Sequence, residues 1–146
     1  MFCNLPVQPH NPPACFLTTT AGIAKLSSVS QILGGSVAYV PFWKTATAPE
    51  LRSPVLAWGH KPSASKAQAY ARRHGLAVIR LEDGFLRSVG LGHQDPPCSL
   101  VVDDLGIYYD ATAESRLEHF IAGALTPAES ARAAALLTSK PAACET

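Results

Sequence analysis

Short apolar runs alternate along the chain with stretches in which apolar residues return at helical steps. CFLTTT, from Cys15, is rich in β-branched and aromatic types and reads as a strand. GIAKLSSVSQIL follows, with Ile23, Leu26, Val29 and Leu33 on one helical stripe that Gly34 and Gly35 bring to a stop. SVAYV reads as a second short strand, and Pro41 to Pro54 as a loop carrying Trp43. The clearest unit opens at Val55: VLAW is an apolar strand, GHKP a turn, and Ser63 the N-cap of a helix closed by Gly75. Ala64, Ala67, Ala71 and His74 form its stripe, with Arg72 and Arg73 in the last turn, where cations suit the helix dipole. AVIRL supplies the next strand. A strand, helix, strand run of this length needs a crossover, which implies parallel pairing.

SLVVDD is a further apolar strand, and GIYYD is expected to continue in extended form. Ser115 and Glu118 then make a capping box for a helix whose core face is Leu117, Phe120, Ile121 and Leu125. Thr126, Pro127 and Glu129 open a second capped helix that runs to about Thr138. The alternation predicts an α/β fold, a Rossmann-like parallel sheet with flanking helices. Residues 1–14, with four prolines and little periodicity, are expected to be a disordered tail. Residues 15–125 form the Rossmann-like subdomain, and 126–146 a helix and a C-terminal tail.

At 146 residues the chain is the size of one domain with a real core. A net charge of +1 leaves no basic field to hold a phosphate backbone, so nucleic acid is not an expected partner. No apolar run approaches the roughly 18 residues that span a bilayer, and no secretory leader is read at the N-terminus, so a cytoplasmic protein is expected. Cys3, Cys15, Cys98 and Cys144 are scattered, and the five histidines lack a paired spacing, so reduced thiols and no metal or other cofactor are expected. Walker, G-x-G-x-x-G, G-x-S-x-G and H-E-x-x-H signatures are missing, which removes support for nucleotide hydrolysis, dinucleotide redox and serine-hydrolase chemistry.

Ligands of doubly wound sheets sit beyond the carboxyl ends of the strands, which singles out three segments. In Trp58-Gly59-His60-Lys61-Pro62-Ser63, His60, Lys61 and Ser63 stand at a helix N-terminus that favours an anion such as a phosphate or a sugar carboxylate. The same residues also make a plain turn and cap. In Leu81 to Ser88, Glu82 and Asp83 follow a buried strand and can accept sugar hydroxyls or act as a base. Arg87, with Ser88 beside it, can hold an acidic group in its donor fork. The competing reading makes Asp83 a turn cap and pairs Arg87 with Glu82. In the third, Asp103 and Asp104 at a strand end suit a divalent metal or sugar hydroxyls; the simpler account is an Asp-Asp-Leu-Gly turn with Tyr108 and Tyr109 in the core.

WGHKPS, RLEDGFLRSVGLG, PPCSLVVDDLGIYYDAT and SRLE, in this order and spacing, resemble the N-terminal block of the KpsC-type capsular polysaccharide biosynthesis or export proteins. The match is dense from Trp58 to Glu118 and weaker over residues 16–40. The resemblance implies a GT-B-like retaining glycosyltransferase that moves Kdo from CMP-Kdo onto an oligo-Kdo linker on a lysophospholipid. It places that activity at the cytoplasmic face of the inner membrane of a Gram-negative cell, peripherally or in a capsule-assembly complex. This chain would supply the acceptor-side first half, with His60, Lys61, Ser63, Glu82, Asp83, Arg87 and Ser88 as cleft residues and Glu82 and Asp83 as catalytic candidates. In that family the nucleophilic aspartate and the segments that hold the CMP-sugar come after the matching block, and none is assigned to a residue here. SKPAACET departs from the family, so a truncated product, inactive alone, is the expectation. A non-catalytic capsule assembly or export accessory is the alternative, and a small sugar-nucleotide-binding domain a third.

Overall fold

The computed structural model describes residues 15–85 and 99–138. The expected N-terminal tail, Arg87, Ser88 and the last eight residues lie outside them. Five strands form one sheet: β1 (Cys15–Thr18), β2 (Ser36–Tyr39), β3 (Val55–Trp58), β4 (Val78–Asp83) and β5 (Leu100–Asp103). Their order is β2-β1-β3-β4-β5. The first four are parallel, as the crossover argument requires.

Only β5 runs antiparallel, in register from Asp83 opposite Leu100 to Arg80 opposite Asp103. The Gly84 N–H donates to the Ser99 carbonyl at 2.9 Å, so the chain leaves β4 and re-enters the sheet at the same end. That return reverses its direction.

The period of two in the strands sorts side chains onto two faces. Phe16, Leu56, Ile79 and Leu81 meet Ile23, Val29 and Leu33 of α1 (Ala21–Lys25) and α2 (Ser27–Leu33) on one side. Leu17, Val55 and Ala57 meet Ala64, Ala67, Tyr70 and Ala71 of α3 (Pro62–His74) on the other. Three small alanines let α3 lie close to the sheet, and Tyr70, 1% exposed, fills the remaining volume. Arg73 at the end of α3 donates to the carbonyls of Phe42 and Lys44 at 2.6 and 2.8 Å and so fastens the Pro41–Pro54 loop.

Several expectations are corrected. The single helix after β1 is two, broken at Leu26, whose backbone is extended and whose side chain packs against the core. Gly34 and Gly75 do end helices, both in the left-handed region, as foreseen. The N-cap of α3 is Lys61, with Pro62 as first helical residue, so Ser63 lies inside the helix and caps nothing. GIYYD is not extended; Tyr108 and Tyr109 form a turn and are exposed rather than in the core.

The capping box of Ser115 and Glu118 on α4 (Arg116–Ala122) is present, as is that of Thr126 and Glu129 on α5 (Pro127–Thr138). Their apolar residues are not core. Phe120, Ile121 and Leu125 are exposed and Leu117 half-buried, because no element among the described residues covers that face.

Asp103, 1% exposed, closes β5. One carboxylate oxygen accepts from the Leu105 and Gly106 N–H groups, each at 2.9 Å, and the other from the Arg116 N–H at the start of α4, also at 2.9 Å. Asp103→Ala strands these three donors, so we expect a loss of about 3 kcal/mol in urea unfolding with an unchanged slope. Asp103→Asn, which retains an acceptor oxygen, should lose about half as much; equal losses would show that hydrogen-bond acceptance is not what Asp103 contributes.

Candidate functional site

Strand β1 lies between β2 and β3, so the connections that leave β1 and β3 diverge to opposite faces of the sheet. A crevice therefore opens beyond their carboxyl ends. On the β1 side, Thr18 is fully buried; its hydroxyl donates to the Leu56 carbonyl at 3.2 Å and accepts the Thr20 N–H at 3.2 Å. The β3 and β4 side carries most of the candidate chemistry.

Glu82 and Asp83 lie within β4, as its last two residues, rather than after it. Glu82 is half-buried and both its oxygens are engaged: Trp58 Nε1 donates to Oε1 at 3.0 Å and the Tyr109 hydroxyl to Oε2 at 3.2 Å. The same Tyr109 oxygen accepts the His60 N–H at 3.2 Å. His60 Nε2 lies 3.1 Å from Asp110 Oδ2. Lys61 holds its ammonium 5.6 Å above the Trp58 ring, and Arg80 donates to the Gly59 carbonyl at 3.2 Å. One network thus joins the ends of β3 and β4 to the turn after β5.

Gly59 makes this junction possible. Its φ is +45°, and a Cβ there would run into the Tyr109 hydroxyl and the Glu82 carboxylate.

Electrostatics follow from these contacts. Bonds from the Thr112 hydroxyl and N–H hold the Asp110 carboxyl below its ordinary range, with a smaller contribution from His60. Desolvation pushes the Tyr109 phenol above its ordinary value, and the Glu82 charge adds to that shift.

Of the residues singled out in the sequence, the structure gathers His60, Lys61 and Glu82 into one cluster with Asp83 beside it, and sets Ser63 one turn into α3. Arg87 and Ser88 lie outside the described residues. Asp103 and Asp104 do not form a ligand site: Asp103 is spent on backbone N–H groups and Asp104 on a two-pronged pair with Arg116 at 2.8 Å. The turn of the simpler account is present, but its core placement of Tyr108 and Tyr109 is not. The functions of Trp58, Tyr109 and Asp110 in the cluster escaped the sequence reading. A sharper signal was available in Asp103-Asp104-Leu105-Gly106, because a turn there brings the following tyrosines back to the strand ends.

Comparison with known proteins adds an independent line. The profile of the family described as capsule polysaccharide biosynthesis protein matches residues 53–143. The capsule polysaccharide modification protein LipA of Neisseria meningitidis serogroup A is 56% identical over 73 residues, which is 49% of this chain and 10% of that protein. The lipopolysaccharide-processing protein LpsZ of Rhizobium meliloti is 52% identical over 56 residues, 38% of this chain and 13% of that one. The solved structure of Thermosulfurimonas dismutans KpsC, a beta Kdo 2,4 transferase, superposes with a TM-score of 0.69 at 40% identity, covering 88% of this chain and 39% of that one. The chain therefore spans only a minor part of each of these relatives.

Two outcomes test the network. Gly59→Ala should cost about 2 kcal/mol or more in thermal unfolding, and Tyr109→Phe, by removing the colliding hydroxyl, should recover part of that loss in the double variant; strict additivity would mean that the two do not meet. Because the folded chain holds the Tyr109 proton more tightly than the unfolded one, this group's stabilisation is intact below the ordinary tyrosine value of 10.0. It falls away as pH rises from there through the folded value. Phenolate absorbance of wild type minus Tyr109→Phe should accordingly titrate above 10.0, and a midpoint at or below that value would contradict the burial argument.

Proposed function

Because the chain belongs to the capsule polysaccharide biosynthesis protein family, we propose that it forms the acceptor-side lobe of a Kdo transferase. Such an enzyme would transfer Kdo from CMP-Kdo, with retention, to an oligo-Kdo linker on a lysophospholipid. This reading is carried by the likeness to the Thermosulfurimonas transferase, which runs over 88% of the chain at 40% identity, while the family match over residues 53–143 takes in the ends of β3 and β4.

Retaining transfer by double displacement needs a carboxylate nucleophile and donors aimed at the leaving phosphate. Neither function is assigned to a residue of this lobe. Its contribution is to orient the acceptor. Glu82, which accepts from both Trp58 and Tyr109, is a positioning residue that fixes the two rings, and Asp83, the last residue of β4, is assigned to acceptor hydroxyls by its place at the strand's carboxyl end. His60, held by Asp110, and Lys61 are set for the carboxylate of an acidic sugar, with Arg87 and Ser88 next along the chain. The reaction belongs at the cytoplasmic face of the inner membrane, where the lobe would associate peripherally. No helix among the described residues is long and apolar enough to cross a membrane.

Chain 1–146 mixed with CMP-Kdo and a Kdo-bearing lysophospholipid should release no CMP, and CMP alone should not saturate it below about millimolar, since the donor contacts are assigned elsewhere. Joined in one polypeptide to the donor-binding remainder of a KpsC-type transferase, the same lobe should transfer Kdo. Turnover by 1–146 unaided, or a folded but silent fusion, would sink the reading.

A further inference from the structure

From Tyr109 and His60 of the network just described, a row of aromatic rings extends through Tyr108 to Phe85. Phe85 and Tyr108 have ring centroids 5.5 Å apart, Tyr108 and Tyr109 5.3 Å, and Tyr109 and His60 5.9 Å. All stay open to solvent: Phe85 is 72% exposed, Tyr109 50%, Tyr108 38%, and the His60 side chain 44%. Leaving so much contiguous aromatic surface in water carries a cost, and such patches mark binding sites. We propose that Phe85, Tyr108 and Tyr109 form a stacking platform for an oligosaccharide, with His60 and Lys61 at its end placed to receive a sugar carboxylate. The carboxylate part rests on the Kdo reading above; the stacking part does not.

Three observations favour a glycan here. The row lies at the carboxyl ends of β3 and β4, where open α/β sheets bind their ligands. Its chemistry is mixed at close range: ring faces lie next to phenol hydroxyls, an imidazole and an ammonium. A pyranose, with an apolar C–H face and a rim of hydroxyls, matches such a surface. The apolar surface around α4 and α5 is different in kind, since aliphatic Ile121, Leu125 and Leu137, 74%, 62% and 87% exposed, outweigh the ring of Phe120 at 48%. Finally, the Tyr109 and His60 end of the platform is held before any ligand arrives. The Tyr109 hydroxyl is fixed between the His60 N–H and Glu82, and the His60 ring is braced by Asp110. Little ordering remains for a sugar to bring about, so affinity is not spent on it. Successive interplanar angles of 52°, 84° and 63° tilt the rings against one another, so the row is not one flat stack and offers separate ring surfaces along its length.

The test titrates isotope-labelled 1–146 with a short oligo-Kdo and, separately, with a maltooligosaccharide of equal length, following the His60 N–H and the aromatic ring signals by NMR. Saturable oligo-Kdo binding is expected. Phe85→Ala and Tyr108→Ala should each weaken it about three- to tenfold, and Tyr108→Phe should leave it within about twofold, because the ring and not the hydroxyl makes the contact. Lys61→Ala should weaken oligo-Kdo alone. Phe85 and Tyr108 are exposed enough that unchanged thermal melting will show the variants folded. Oligo-Kdo binding that ignores both ring deletions overturns the platform and leaves the Kdo reading standing. Equal binding of the neutral sugar, lost with the same rings, keeps the platform and overturns the carboxylate assignment together with that reading. No binding of either sugar, or ring variants that only abolish self-association in sedimentation, overturns the proposal, and the fusion assay still decides the Kdo reading on its own.

Discussion

The carboxylate of Asp103, buried at the end of β5, accepts two backbone N–H groups from its own turn and a third from the first residue of α4. Taking a carboxylate out of water is costly, and three charge-assisted bonds are what make it tolerable. The geometric consequence reaches further than the energy. The turn sends the chain back along the sheet edge, so Tyr109 and Asp110 arrive at His60 and Glu82, residues far away in sequence. Arg116 pairs with Asp104 and raises α4 on the same foundation. Without this return His60 would lose its contacts with Tyr109 and Asp110, and Glu82 would keep Trp58 but lose Tyr109.

The site is built the way preorganised sites generally are, with each group fixed by another that does not itself face the ligand. Glu82 restrains an indole and a phenol; Asp110 restrains an imidazole and is itself restrained by Thr112. Gly59 supplies the space, because any side chain there would occupy the volume in which Tyr109 meets Glu82. A strut of this kind is easily mistaken for a catalyst, since both are carboxylates at a strand end. What marks Glu82 as a strut is that both its oxygens already accept hydrogen bonds.

The helices beyond the sheet follow a different logic. Both α4 and α5 begin with full capping boxes, so their starts are encoded locally, yet their aliphatic residues face water. A helix of the length of α4 gains little from propensity alone and draws its stability from what its apolar face is packed against. The mostly aliphatic exposure there and the aromatic exposure at the strand ends are surfaces of distinct character.

How much of this was legible in the sequence depends on the range of the interactions involved. Local signals were sufficient for the elements themselves: the VLAW strand, the alanine stripe of α3, the glycines that end α2 and α3, and both capping boxes reflect contacts within a few residues. The KpsC-type resemblance was likewise read from contiguous segments, and so was the neighbourhood of the site, because the carboxyl ends of parallel strands follow from the order of elements. The tertiary structure alone decided the direction of β5, the exposure of the α4 face, the engagement of Glu82 by Trp58 and Tyr109, and the row of rings beside it. Those facts depend on what distant parts of the chain bring, or fail to bring, to a given surface, and periodicity describes which way a side chain points but not what it will meet there.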